Sequence, residues 1–126
     1  MEQVFHLTVV ESGYVDFEMV GALQASTGAQ RYSEIVEDVV FSLTEKITAL
    51  MSDARGRDFA KAERQAAKIG VIARQIGLKG VAGVAAAAQD CAGRGDYTAL
   101  SAVSVRLARM AERSLFSIIE FDAQAP

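Results

Sequence analysis

An amphipathic stripe over residues 30–54 constrains the fold of this chain more than any other feature. Its apolar positions recur in steps of three and four, the spacing that places side chains on one face of an α-helix. The stripe consists of Tyr32, Ile35, Val36, Val39, Val40, Leu43, Ile47, Leu50 and Met51. Acidic residues fall mostly off the stripe, so this segment is predicted to form one long helix with a single buried face.

Further helices are indicated on both sides of this segment. Asp16, Asp58 and Asp96 each precede a helical pattern, and aspartate is a favoured N-cap because its carboxylate accepts a backbone N–H of the first turn. Another segment is built from Ala, Gly and Val, whose small side chains let a neighbouring helix approach closely. The predicted helices run over about 17–25, from 30 to 54, from 58 to 77, over about 79–92 and from 96 onward.

The connections between these helices are short and contain glycine, and the only proline is the last residue, Pro126. Short connections favour antiparallel neighbours. The chain is therefore predicted to be all-α, an up-down antiparallel four-helix bundle with an extra short N-terminal helix. Residues 4–10 (VFHLTVV) are apolar and β-branched, which predicts a short strand or an extended N-terminal arm. A length of 126 residues predicts one domain, residues 1–126.

Composition narrows the functional classes. The net charge of −3 and the scattered basic residues argue against nucleic-acid binding. One cysteine fits a reducing compartment, and the N-terminus lacks the basic flank of a secretory signal. The most apolar window, residues 69–88, contains charged residues and is a poor membrane span. A cytoplasmic protein is expected. The hydrophobic content of 51% is high for a small domain and leaves self-association open.

The segment from Arg64 to Gly80 reads RQAAKIGVIARQIGLKG and carries a motif-like spacing. The pair Ile76-Gly77 fits the C-terminal end of its helical pattern or a kink within it, and counting back ten places from Gly77 gives Ala67. A hydrophobic residue, Ile69, follows two places later. This spacing resembles the histidine phosphotransfer (HPt) motif, in which a His is followed by a hydrophobic residue, a Lys-Gly pair, small residues and an Ile/Leu-Gly pair.

The resemblance extends over about residues 14–117, the expected core of the domain. HPt domains often begin with an Asp-led short helix and a Gly before the long second helix, which here read Val15-Asp16-Phe17 and Gly28. The loop before the motif helix reads Ala54-Arg-Gly-Arg-Asp58, and a later turn reads Cys91-Ala-Gly-Arg-Gly95-Asp96. The resemblance implies an HPt-like bundle.

The centre of the motif departs from the family pattern. Ala67 occupies the position of the phosphoacceptor His, and Gly70-Val71 replaces the Lys-Gly pair. Phosphoryl transfer needs a nucleophilic imidazole nitrogen, which a methyl group cannot replace. Lys68 would be out of register with Gly77, and a protonated ammonium has no lone pair with which to attack. No catalytic residue is therefore assigned, and the chain is predicted to be a non-phosphorylatable pseudo-HPt.

A docking face is what the resemblance still implies. The family uses the surface around the His position to bind a receiver domain, so the expected partner is a response-regulator receiver or a histidine kinase. The corresponding partner-binding residues are Arg64, Ala67, Lys68, Val71, Ile72 and Gln75. Val71 and Ile72 lie off the core stripe, and the alternative is that they pack against another helix or in a dimer. The alternative function is a self-associating helical bundle with no phosphorelay role.

Other candidate sites have simpler explanations. His6 is the only histidine and has no partner for a metal site. Cys91 lies among small residues and is expected to be a packed, inert thiol. Gly77-Leu-Lys-Gly80 lacks the order of a phosphate-binding loop, and the acidic cluster Glu34, Glu37 and Asp38 lacks the spacing of a calcium loop. No cofactor, metal or enzymatic activity is predicted.

Overall fold

The structure is a computed structural model that describes residues 14–123, and these residues form five α-helices joined by short turns. The helices are α1 (Phe17–Thr27), α2 (Ala29–Arg55), α3 (Phe59–Ile76), α4 (Lys79–Gly93) and α5 (Tyr97–Ala123). The all-α prediction is confirmed for this range. The predicted N-terminal arm over residues 4–10, with His6, lies outside the described residues.

The helix boundaries follow local sequence signals. The carboxylates of Asp16, Asp58 and Asp96 each accept a hydrogen bond from the backbone N–H three residues later, at 3.0, 3.2 and 3.1 Å. All three predicted N-caps are therefore confirmed. Gly77 has a φ of 84°, the left-handed conformation that ends a helix and that glycine adopts without a steric penalty. The Ile-Gly pair thus marks the end of α3 rather than a kink within it.

The four longer helices pack in a cycle. Helix α3 lies between α2 and α4, and α5 contacts α2 and α4, while α1 packs mainly on α2. The contact between α3 and α4 is the most extensive. Small buried residues explain it, because they let the two backbones approach closely. These residues are Ala62, Ala66, Gly70 and Ala73 on α3 and Ala82, Ala85, Ala88 and Ala92 on α4.

Aromatic contacts mark the two ends of this bundle-like arrangement. At one end, the Arg57 guanidinium stacks 4.2 Å from the centre of the Tyr97 ring, so the turn after α2 meets the start of α5. At the other end, the Phe121 ring near the C-terminus of α5 lies 5.9 Å from Phe17 and 6.4 Å from Tyr32. These contacts fix α2 and α5 alongside each other.

Candidate docking surface on α3

Helix α3 has one buried and one exposed face, and the division follows the predicted stripe. Its buried residues are Ala62, Ala66, Ile69, Gly70, Ala73 and Ile76. With 3.6 residues per turn, residues 60, 64, 67, 71 and 75 lie on the opposite side. Helix geometry therefore places Ala67 on the outward side of α3, beside Arg64 and Val71.

Four of the six predicted partner-binding residues are exposed. Arg64, Lys68, Val71 and Gln75 are open to solvent, and the Val71 side chain is 47% exposed. Ala67 is only partly exposed, so its methyl group lies at the base of this surface. We call these five residues the α3 face.

Ile72 differs from its neighbour Val71. Its side chain is half-buried and packs against the hydrophobic core. The position of residue 72 explains this, because it lies next to the buried Ile69 and Ile76 around the helix, at the edge of the core stripe. Of the two packing alternatives, contact with the rest of the bundle applies to Ile72, while Val71 stays exposed. Ile72 can support the α3 face from below but offers little surface to a partner.

The α3 face carries unpaired positive charge. Arg64 and Lys68 lie one helical turn apart, and neither forms an ion pair with any residue of the described range 14–123. Like charges at this spacing weakly destabilise a helix, so the stability of α3 does not explain why both cations are present. Arg74, at the C-terminal end, lays its guanidinium over Gly70, with Nη1 3.2 Å from where a Cβ on residue 70 would lie. Arg74 thus covers the backbone at Gly70, where Gly70-Val71 replaces the Lys-Gly pair of the HPt motif.

The surface has no nucleophile at its centre. Ala67 ends in a methyl group, and the nearest ionisable side chains in sequence are the cations Arg64 and Lys68. Such a surface can attract carboxylates and cover apolar atoms, but it cannot accept a phosphoryl group at residue 67.

The remaining candidates differ in their surroundings. Cys91 is a buried free thiol whose Sγ lies 3.7 Å from Nη2 of Arg94, and this contact is the main cause of a raised pKa for the arginine. In the acidic cluster, Glu34 pairs with Arg31 at 3.2 Å. Among residues 14–123, no group of three or more His, Cys, Asp and Glu side chains is arranged to hold a metal ion. His6 lies outside the described residues.

A second surface was not predicted from the sequence. Phe41 on α2 and Phe116 and Ile119 on α5 are large apolar residues that are well exposed. Phe41 and Ile119 border an open groove of about 680 Å³ between the two helices, and Phe116 lines the adjoining cavity. The sequence did hold a signal, since Phe41 falls off the core stripe of α2. Nothing in the sequence indicated that α5 would bring two more such residues beside it.

A scan against protein-family models, a search of curated proteins and a search of solved structures each gave no match to this chain. Within residues 14–123, none of the helices combines the length and the apolar composition that a membrane span needs.

Proposed function

We propose that this protein is a pseudo-HPt that binds a response-regulator receiver or a histidine kinase through the α3 face without carrying phosphate. The observation that supports this most is the outward position of Ala67. It stands ten residues before the left-handed Gly77 and is surrounded by exposed Arg64, Lys68, Val71 and Gln75. The HPt resemblance assigns the phosphoacceptor to this position.

The arrangement of the helices is compatible with an HPt-like, up-down four-helix bundle. The four long helices pack in a cycle, and α1 contacts α2 and α3. The backbone N–H of Asp16 donates to the carbonyl of Gly77 at 2.8 Å, which ties the residue before α1 to the end of α3.

The chemistry of the α3 face defines the partner surface that would fit it. Arg64 and Lys68 would pair with carboxylates of the partner, and Val71 would contact an apolar side chain of the partner. Bound in this way, the protein would occupy a receiver or kinase surface that a phosphate-carrying HPt domain also uses. It would compete for that partner, and no phosphoryl group would move.

Binding to receiver domains encoded in the same genome tests the docking step. We expect one receiver or kinase to bind the wild type, measured by calorimetry, and Arg64→Glu/Lys68→Glu to weaken binding about tenfold or more. Arg106→Glu/Arg109→Glu is the matched control, because it reverses two exposed arginines on α5. Equal losses of affinity in both variants would show that net charge alone drives binding. A failure to bind any receiver or kinase would refute the proposal.

Phosphoryl transfer is tested separately. The wild-type protein is incubated with a phosphorylated receiver and assayed for acid-labile phosphate, with a phosphate-accepting HPt domain as positive control. We expect no label on α3. Stable label on this helix would contradict the non-phosphorylatable assignment while leaving the docking proposal intact.

Self-association without a phosphorelay role is the second candidate function. The exposed Phe41, Phe116 and Ile119 favour it, because soluble monomers rarely leave contiguous large apolar side chains in water. Sedimentation at several protein concentrations separates the two candidates. A concentration-independent monomer would exclude the self-associating bundle.

A further inference from the structure

The groove between α2 and α5 is long and lined largely by apolar side chains. Two adjoining cavities of about 680 and 440 Å³ share Thr44 and Ile119, so they form one continuous groove. Its walls along α2 extend from Ser33 to Met51. At a rise of 1.5 Å per residue, this is a length of about 27 Å, or about five helical turns.

The apolar edge of the groove is exposed. Phe41 is 69% exposed, Phe116 is 61% exposed and Ile119 is 43% exposed. Ile119 lines both cavities, Phe41 lines the first and Phe116 the second, so the three side chains form one patch. A patch of this kind on a domain with a complete core marks an interaction site.

All the ionisable residues that line the groove are acidic. They are Glu37, Glu45, Glu112 and Asp122. None forms an ion pair with another residue of the range 14–123. The Asp122 carboxylate is held in place by the Ser33 hydroxyl, whose Oγ lies 2.9 and 3.0 Å from its two oxygens. The groove therefore combines exposed apolar side chains with a rim of negative charge.

We infer that the groove between α2 and α5 binds an amphipathic basic helix of a partner protein. Apolar side chains of that helix, spaced in steps of three and four, would cover Phe41, Phe116 and Ile119. Lys or Arg side chains beside them would meet the four carboxylates of the rim. A partner helix of about 18 residues matches the length of the groove.

Charge complementarity favours this occupant over two others. A second copy placed symmetrically on the same groove would bring two sets of four carboxylates together. Residues 1–13 of the chain contain Glu2 and Glu11 and no Lys or Arg, so they would also add negative charge to the rim. Only a basic segment neutralises it.

Binding of a synthetic peptide tests this inference on the full-length protein. The probe is an 18-residue fluorescent peptide with Leu at helical spacing on one face and Lys on the other. Fluorescence anisotropy should show saturable binding that weakens as salt increases. Two control peptides should each bind at least about tenfold more weakly. One has the same composition with the Leu positions scrambled, and the other has Glu in place of Lys.

Variants locate the peptide. Phe41→Ser and Phe116→Ser should each weaken binding about tenfold, the effect of truncating a central interface aromatic. Glu37→Gln/Glu45→Gln should weaken binding and flatten its salt dependence. Asp38→Asn/Glu120→Gln is the matched control, because it removes two exposed acids outside the groove. Arg64→Glu/Lys68→Glu should not weaken peptide binding, which keeps this test separate from docking at the α3 face.

Three outcomes would overturn the inference. Equal binding of the amphipathic and scrambled peptides would show that net charge alone attracts the probe. Unchanged binding in Phe41→Ser and Phe116→Ser, with circular dichroism showing intact helices, would place the peptide elsewhere. A dimer in sedimentation that Phe116→Ser dissociates would assign the groove to a second copy of this chain.

Discussion

Gly80 and Gly83 lie close together on α4 but have different surroundings, which gives a paired test of the packing. A Cβ on Gly80 would lie 2.7 Å from Cδ1 of Tyr14 and 2.8 Å from both Cβ of Tyr14 and Sδ of Met110. Among the described residues, a Cβ on Gly83 would meet no heavy atom within 4 Å beyond its own stretch of helix. The same substitution, Gly→Ala, is therefore expected to have opposite effects at the two positions.

The expected magnitudes follow from two terms. Replacing a helical glycine with alanine stabilises a protein by about 0.5–1 kcal/mol when nothing obstructs the new methyl group. Gly83→Ala should show this gain. Gly80→Ala gains a similar amount but adds an overpacking cost of about 1–3 kcal/mol. Tyr14 cannot retreat freely, because its carbonyl accepts the N–H of Gly80 at 2.9 Å. The difference between the two variants should equal the overpacking cost.

Urea unfolding followed by circular dichroism measures this difference. Gly83→Ala should unfold at a higher urea midpoint than the wild type and Gly80→Ala at a lower one, with similar slopes. On heating, each 1 kcal/mol corresponds to a shift of about 4 °C for a domain of this size. Equal stability of the two variants would refute the close contact of Tyr14 and Met110 with α4.

Three further predictions concern single positions. Gly77→Ala should lower the free energy of unfolding by about 1–2 kcal/mol, because φ is 84° and the new Cβ would lie 3.1 Å from the backbone oxygen of Asp16; an unchanged urea midpoint would contradict it. The hydrogen bond from the N–H of Met19 is the main cause of a lowered pKa for Asp16. This carboxylate therefore stabilises the fold at pH values above its ordinary pKa of 3.8, and that contribution is lost as the pH falls through the lowered pKa. Asp16→Asn keeps a capping oxygen, and we expect a weaker dependence of stability on acid pH; identical acid unfolding curves would refute this. Burial raises the pKa of Tyr32 to about 12, and its hydroxyl has no hydrogen-bond partner in the range 14–123. Tyr32→Phe should therefore be neutral or stabilising by up to about 1–2 kcal/mol. The variant should also lack the loss of stability that the wild type shows as the pH rises from 10 through 12; a destabilised variant would reveal a partner for the hydroxyl.

Much of the fold was predictable because its signals are local. The apolar stripe of α2 and the Asp16, Asp58 and Asp96 caps each depend on residues within one or two turns of the helix. Such signals place helix ends to within two residues here, since α1 ends at Thr27 and α2 at Arg55. The outward position of Ala67 also follows from the sequence, because the opposite face of the same helix carries the buried stripe.

The surfaces were predictable only in part, because exposure depends on which helices become neighbours. Val71 and Ile72 are adjacent in sequence and both lie off the core stripe, yet only Val71 is well exposed. The difference arises because the core reaches the Ile72 side of α3 and not the Val71 side, a relation that no local pattern contains. HPt-type docking stays a prediction, which substitutions in the α3 face can test.

The sequence by itself determined that this chain is helical, where its helices begin and end, and that residue 67 lacks a nucleophile. These properties depend on helical periodicity, capping and side-chain chemistry, which act over a few residues. Only the tertiary structure decided that Phe41 would stand beside Phe116 and Ile119 above a rim of carboxylates. That surface joins residues more than 70 positions apart, and the packing of α2 against α5 brings them together.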